Sequence, residues 1–398
     1  MSDPALTTRH RNRIADLHGD ITAWRRDLHM HPEIGFEETR TAAIVAEKLK
    51  AFGLDQIITG MATTGVVGII KGSQPGPMIG LRADMDALPM QEHGDVEWKS
   101  LNPGKMHACG HDGHTAMLLG TAQILAETRD FAGSVAVIFQ PAEEGGGGGG
   151  VMVREGLFNQ ADCQSVWGLH NMPTIPYGQF FALTGPIMAG IDYFDITIRG
   201  QGTHAGTPHL GADTVLAAAH LVTAIQSVPG RTVSPHETAT IGVSMFKGSE
   251  AYVVMPDEAT IGGSVRYFDM ATRDAAEARI RLLANGIAAG FDAEAVVDYR
   301  KNYPPTINHA AETDMAAEVA GALVGADMVE REAEPSMAGE DFSFMLNERP
   351  GNYIWMGTGQ PGRNNAMVHA PDYDFNDNAI PLGVGYWLGL VDRLLPTT

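Results

Sequence analysis

Residues 107 to 114 read His107-Ala-Cys109-Gly-His111-Asp112-Gly-His114, placing three histidines, a cysteine and an aspartate within eight positions. Imidazole nitrogen and thiolate sulfur are donors that transition metals select, so this density points to a metal site. Residues 100–104 before it are polar with Pro and Gly, and after Asp112 the apolar Met117, Leu118, Leu119, Ile124 and Leu125 recur at roughly helical spacing. Asp112 is therefore expected to cap a helix, with Cys109 and His111 in the turn entering it, where the positive end of the helix dipole favours a thiolate. Taken singly, His107 and His114 are equally well explained as ordinary polar residues near a helix start. A Cys-x-His pair also arises by chance, so the reading needs partners from elsewhere in the chain.

Glu143-Glu144 supplies the second half of the chemistry. Adjacent carboxylates at a strand end point in different directions, so one can bind a metal while its neighbour faces a water that the metal acidifies. That neighbour can take the water's proton and later hand it to a leaving amine, which is the division of labour of hydrolysis. An isolated Glu-Glu pair is ordinarily a solvated surface feature. This one follows a six-residue apolar run, 134–139, and precedes six consecutive glycines, 145–150. Those glycines also satisfy GxGxxG, directly after a strand and before an expected helix at 151–157, which raises the rival reading of a dinucleotide-binding oxidoreductase. Two carboxylates against a pyrophosphate would repel it, and six glycines match almost any glycine pattern. A Walker loop is excluded because no Lys-Ser or Lys-Thr follows.

The elements that position these residues follow from periodicity. Ile14, Leu17, Ile21, Trp24 and Leu28 form an amphipathic helical stripe, and a second helix is expected over 37–52. Short apolar runs at 66–70, 78–83, 134–139 and 165–169 read as buried strands, the later three ending in Arg82-Ala-Asp84-Met-Asp86, Gln140-Pro-Ala-Glu143-Glu144 and His170. Strands alternating with helices give an α/β layer with a mostly parallel sheet, whose carboxyl ends gather ligands. Beyond Gly185-Pro186 the order becomes strand 192–199, helix 213–227, strands 238–246 and 258–267, helix 273–289 and strand 293–300. This is βαββαβ, an inserted ferredoxin-like unit. The expected domains are 1–185 with 304–398, and 186–303.

A length of 398 residues suffices for two or three domains. The net charge of -21 argues against nucleic acid or an anionic membrane as partner. Two cysteines, Cys109 and Cys163, imply no disulfide framework and suit a reducing compartment. Residues 1–10 show no apolar leader core and no run is long enough to span a bilayer, so a cytoplasmic location is expected.

Taken together, His107-Ala-Cys109-Gly-His111-Asp112-Gly-His114, Gln140-Pro-Ala-Glu143-Glu144-Gly-Gly, Gly168-Leu-His170-Asn and Arg82-Ala-Asp84-Met-Asp86-Ala-Leu-Pro closely resemble the M20 metallopeptidase clan. The similarity is to its amidohydrolase branch, which includes hippurate hydrolases and plant indole-acetyl-amino-acid hydrolases. It extends from Arg26-Asp27-Leu-His29 to His369-Ala-Pro-Asp-Tyr-Asp, essentially the whole chain. The resemblance implies an α/β catalytic domain interrupted by a ferredoxin-like lid that commonly dimerises, giving a homodimer or a dimer of dimers.

By this resemblance Cys109, His111, Glu144, His170 and His369 match the ligands of two divalent ions, manganese, zinc or cobalt, and Glu143 matches the general base and acid. Asp86 matches a carboxylate that in the wider clan orients a metal-ligating histidine. Here Asp84 occupies that histidine's position, so Asp86 would act through neighbours. His204, in Gly202-Thr-His204-Ala-Gly-Thr-Pro208-His209, matches a lid histidine that helps hold the oxyanion, usually in the partner subunit's site. Arg266 matches a lid arginine suited to a substrate carboxylate. Where the clan has Asn-Val-Ile-Pro the chain has Val253-Val254-Met255-Pro256, so an amide that meets substrate in relatives is absent. Gly339-Glu340-Asp341-Phe342-Ser343 matches a further signature that would position the last segment rather than ligate.

The implied activity is hydrolysis of an N-acyl amino acid, hippurate-like with an aromatic or bulky acyl group, into carboxylic acid and amino acid. Alternatives within hydrolases are an N-acetyl-amino-acid deacetylase or aminoacylase, a dipeptidase, or an amidase whose substrate lacks the α-carboxylate. The different-class alternatives are the dinucleotide-binding oxidoreductase and a non-catalytic metal-binding protein.

Overall fold

Helix α1 (Arg11–Met30) buries the stripe Ile14, Leu17, Ile21 and Leu28, and helix α2 (Thr39–Ala51) buries Val45 and Leu49. The computed structural model describes residues 10–362 and 365–397; the Met1–Arg9 stretch, read above for an apolar leader, lies outside them. Strands β1 (Gln56–Met61), β2 (Gly65–Lys71) and β3 (Gln74–Asp84) follow, then helix α3 (His111–Thr128), strand β4 (Ala132–Gln140), helix α4 (Gly148–Arg154), strand β5 (Ser165–Pro176) and the short β6 (Phe180–Phe181). The mostly parallel α/β sheet expected from the apolar runs is present. β3 pairs in parallel with both β4 and β5 at its centre, and antiparallel β1 and β2 extend the β4 side.

The chain divides into two compact units. The first comprises residues 1–187, 307–334 and 341–398, and the second residues 188–306 and 335–340. In the second unit, β7 (Gly190–Arg199), helix α5 (Thr214–Ile225), β8 (Ala239–Lys247), β9 (Glu258–Tyr267), helix α6 (Met270–Gly290) and β10 (Glu294–Tyr303) realise the βαββαβ order. Their antiparallel sheet runs β8-β9-β7-β10. Asp213 and Asp269 cap the two helices by accepting the Leu216 and Thr272 amides at 2.9 and 2.8 Å. Ala276, Ile280, Ala284 and Ala288, four residues apart along α6, pack with Leu221 and Ile225 of α5 over Phe194, Ile196, Ile261 and Val265. One face of the sheet is thereby covered, as an antiparallel sheet with a single buried face requires.

The first unit is completed by helix α7 (Ala310–Val324), β11 (Val329–Glu330), β12 (Gly351–Gly359) and helix α8 (Ile380–Leu394). β12 pairs in parallel with β5, giving the sheet order β1-β2-β4-β3-β5-β12-β6-β11. Helix α3 is buried almost all round, from His111 to Ala126, which is why its apolar residues outnumber one face. Fully burying Leu118 and Leu119 contributes about 1.5–3 kcal/mol each. No helix among the described residues is long and apolar enough to cross a membrane.

Two local expectations are corrected. Helix α3 begins at His111 with Gly110 as its N-cap, so Asp112 lies in the first turn. Inside the helix Asp112 is past the capping position, and its buried Oδ2 accepts from Arg25 and lies against His29, both at 2.8 Å. Helix α4 starts inside the glycine run, not at Val151. A Cβ on Gly148 would stand 1.8 Å from the Pro141 carbonyl oxygen, so these glycines permit close backbone packing.

Candidate metal centre and its carboxylates

The carboxyl ends of β3, β4 and β5 converge on one place in the first unit, as ligand sites in parallel sheets do. β3 ends in Asp84, followed by Asp86, and β4 runs into the Pro141–Glu144 turn. β5 carries His170 just past Gly168, its last residue paired with β3. The loop holding His369 is pinned by its own amide, which donates to the Ala108 carbonyl at 2.8 Å. Cys109 Sγ lies 3.3 Å from His170 Nε2, and His369 Nε2 lies 3.2 Å from Glu144 Oε1. His111 Nε2 is 4.0 Å from the same Glu144 oxygen. Cys109, His111 and His170 form one cluster whose donor atoms lie within 4.8 Å of one another; Cys109, Glu144 and His369 form a second.

Ring orientation decides which nitrogens remain for a metal. His111 Nδ1 sits 3.0 Å from the Asp86 carbonyl and His170 Nδ1 sits 2.7 Å from the Asn171 carbonyl. Each Nδ1–H donates there, which leaves Nε2 as the lone-pair atom of both rings. His111 Nε2 is buried with no hydrogen-bond partner among the described residues. Such an atom costs about 1–3 kcal/mol if left unsatisfied. A thiol, three imidazoles and a carboxylate in two clusters sharing Cys109 fit a pair of divalent ions.

Electrostatics point the same way. Burial favours a neutral His111, but Asp84 and Asp86 overcome it and raise the ring to about 10. The carboxylates therefore demand positive charge at this point, which an ion on Nε2 would supply in place of a proton. Burial, with Glu144 and Glu143 close by, pushes the Cys109 thiol well above its ordinary range. The expected lowering by the helix dipole is outweighed, and the thiolate needs a cation to form. Burial would also raise Glu144, but His369 and His111 hold it below its ordinary value. Burial drives His170 well below the usual imidazole range, keeping it neutral as a ligand must be.

Glu143 is buried at 7 % exposure, and one of its oxygens belongs to a cluster with His111 and Glu144 within 4.8 Å. Asp86 Oδ2 accepts the Glu144 amide at 2.9 Å and its Oδ1 lies 3.3 Å from His111 Nδ1, so its carboxylate touches two of the five residues expected as ligands. His114 is fully engaged by protein, with Nδ1 2.6 Å from Asp84 Oδ1 and Nε2 accepting the Asn171 amide at 3.1 Å. Asp84 is held well below its ordinary value, because His111, His114 and Arg82 outweigh its burial. Burial pushes His107 down to about 3.

The remaining expected residues lie in the second unit. His204 is exposed in the short strand Thr203–His204, paired antiparallel with Val254–Met255, and its Nδ1 accepts the Gly206 amide at 3.0 Å. The Ala205 amide donates to the Val253 carbonyl at 2.9 Å, so the position of the missing amide adjoins His204. Arg266 is half-buried and donates through one guanidinium nitrogen to the Met337 carbonyl.

A buried charge network behind the centre was not among the sequence expectations. Arg25 contacts Asp112, Asp374 and Asp377 at 2.8, 2.7 and 3.4 Å, and His29 Nε2 lies 3.3 Å from Glu92. The signal was present: Arg25 follows Ile21 by four residues, on the stripe where a helix buries apolar side chains.

Comparison with known proteins agrees with this geometry. The family model for peptidase family M20/M25/M40 matches residues 80–393. The chain is 38% identical to the hippurate hydrolase of Campylobacter jejuni over 96% of its own length and 98% of that protein. It is 35% identical to the N-acetylcysteine deacetylase of Bacillus subtilis over the same shares, 96% and 98%. A dinuclear metal-binding M20 peptidase from Bacillus subtilis superposes with a TM-score of 0.83 at 33% identity, covering 96% of this chain and all of that one. With its family motifs gathered at the ends of β3, β4 and β5, the chain belongs to the M20 peptidase family, in the amidohydrolase branch.

Proposed function

We propose that the protein hydrolyses the amide bond of N-acyl amino acids bearing an aromatic or other bulky acyl group, releasing carboxylic acid and amino acid. The observation that carries this reading is the placement of Glu143 beside the two ligand clusters without being needed to complete either. Cys109, His111, Glu144, His170 and His369 would hold two divalent ions, with manganese, zinc or cobalt suited to the donor set. When bound, the ions polarise the amide carbonyl and acidify the attacking water. Glu143 takes a proton from that water as it attacks the carbonyl carbon and returns it to the nitrogen as the C–N bond breaks. Asp86 keeps His111 and Glu144 oriented. His204 is assigned to the oxyanion, reaching the partner subunit's site in a homodimer, and Arg266 to the substrate carboxylate. The first unit is thus assigned catalysis, the second closure and dimerisation.

A second reading is favoured by Val253, which is 58% exposed beside His204 where an amide is expected. An apolar residue there suits a smaller or carboxylate-free substrate. The test is amine release from N-benzoylglycine, N-acetylcysteine and N-methylbenzamide by manganese-reconstituted protein beside chelated controls. Chelator-sensitive release fastest from N-benzoylglycine supports the main reading. Preference for N-acetylcysteine or the carboxyl-free amide moves the assignment to the second, and no release from any contradicts both.

A further inference from the structure

Residues 33–38, between α1 and α2, touch both carboxylate-bearing loops of the metal centre. Ile34 forms a parallel bridge with Ala87, and the Glu33 carbonyl accepts the Ala87 amide at 2.8 Å, next to Asp86. On the other side Gly35 abuts Ala142 so closely that a Cβ there would lie 2.9 Å from the alanine's own. Glu38 is fully buried at the start of α2, yet its side chain makes no capping bond to that helix. Its Oε1 instead accepts the Ala142 amide at 2.8 Å, and its Oε2 accepts the Thr64 hydroxyl at 2.6 Å.

Ala142 immediately precedes Glu143 and has φ +54°, a left-handed conformation that residues with a Cβ avoid. Its carbonyl accepts the Gly148 amide at 3.1 Å. Both polar groups of this residue are therefore held from outside the Glu143-Glu144 pair, one by the glycine run and one by Glu38.

We propose that Glu38 is a positioning residue, whose bond to the Ala142 amide maintains the backbone that presents Glu143 to the reacting centre. The inference rests on Glu143 as the base in the function proposed above. Burial pushes the Glu38 carboxyl up to about 7. On protonation the Thr64 bond reverses, Oε2–H donating to Thr64 Oγ1 while Oε1 still accepts from Ala142, and a glutamine offers the same pair, its amide nitrogen donating and its oxygen accepting. Methionine keeps the volume and reproduces neither.

The test compares Glu38→Gln and Glu38→Met in the manganese-reconstituted full chain. Three readouts are taken: kcat and KM for N-benzoylglycine, metal content, and amide hydrogen exchange of peptides covering 139–148. Glu38→Gln is expected to keep kcat within about threefold and exchange as in wild type. Glu38→Met is expected to lose about 10²-fold in kcat, as a misplacement of about 1 Å produces. Its KM and its two ions should be retained, and exchange over 139–148 should quicken. Wild-type kcat and exchange in Glu38→Met would overturn the proposal. So would a Glu38→Gln variant as slow as Glu38→Met, which would place the effect in the charge. If Glu38→Met does not fold, Glu38→Asp, too short to reach both partners, should show the same loss, and its full activity overturns the proposal. Should wild type turn over no N-acyl amino acid, the functional reading falls while the exchange comparison still judges Glu38.

Discussion

Gly110 separates the two proposed ligands Cys109 and His111, and replacing it with alanine should damage the centre by an amount the geometry fixes. Its φ of +93° is in the left-handed region, where a Cβ costs about 1–2 kcal/mol. That Cβ would also stand 2.2 Å from Asn171 Oδ1 and 2.6 Å from Tyr373 Oη. Neither can retreat easily, because both are buried and Asn171 Nδ2 donates to Tyr373 Oη at 2.7 Å. Overpacking of this kind costs about 1–3 kcal/mol, for a combined penalty of about 2–5 kcal/mol. The strain is relieved most directly by shifting Cys109 or His111, so it should appear as weakened metal binding of roughly 30- to several-thousand-fold. Competition against a chelator of known affinity measures this, with urea unfolding in parallel. Gly104→Ala is the control, since its φ is +76° but nothing lies within 4 Å of the added carbon. Metal affinity within threefold of wild type, together with an unfolding change under about 1 kcal/mol, would refute the reasoning.

Three further outcomes are expected. Arg25→Met leaves Asp112, Asp374 and Asp377 without their shared cation and should destabilise the fold by about 3–5 kcal/mol, read as a lower urea midpoint; a change below about 1 kcal/mol would contradict it. Because burial raises the Glu38 carboxyl from 4.5 to about 7, the folded state binds that proton more tightly than the unfolded chain. Its stabilising effect is complete below about 4.5 and lost as pH rises towards about 7, so wild type should lose on the order of 3 kcal/mol relative to Glu38→Gln between pH 4.5 and 8, and parallel stability curves would exclude this. Mixing inactive Glu143→Ala subunits with inactive His204→Ala subunits should restore part of the activity if His204 acts across a dimer, whereas no recovery under demonstrated subunit exchange would rule that out.

The parts of the fold legible in the sequence are those written in local periodicity. Glu258–Tyr267 has the expected bounds at both ends, and the βαββαβ order follows from alternation and helical spacing. The Cys109–His111 and Glu143–Glu144 pairs stood out because their residue types are improbable beside buried strands. What escaped depends on partners distant in sequence. Asp112 has the chemistry of a cap but is claimed by Arg25, 87 residues earlier. Helix α4 begins among glycines, whose low helix propensity argues against it until the Pro141 carbonyl is seen to need the space. β1 was missed because Met61 is its only buried residue and its sequence holds no more than two adjacent apolar residues, Ile57 and Ile58, leaving no apolar run to read. Residues 335–340 belong with the second unit although they follow the return to the first, and nothing in their composition marks it.

The division of labour between the adjacent glutamates is best settled by measuring metal content and glycine release from N-benzoylglycine on the same preparations of Glu143→Gln and Glu144→Gln. Glu143→Gln should retain two ions per chain and turn over about 10²–10⁴-fold more slowly. Glu144→Gln, which lacks the carboxylate beside His369 and His111, should lose at least one ion. A Glu143→Gln protein that loses metal while Glu144→Gln keeps both ions would reverse the assignment.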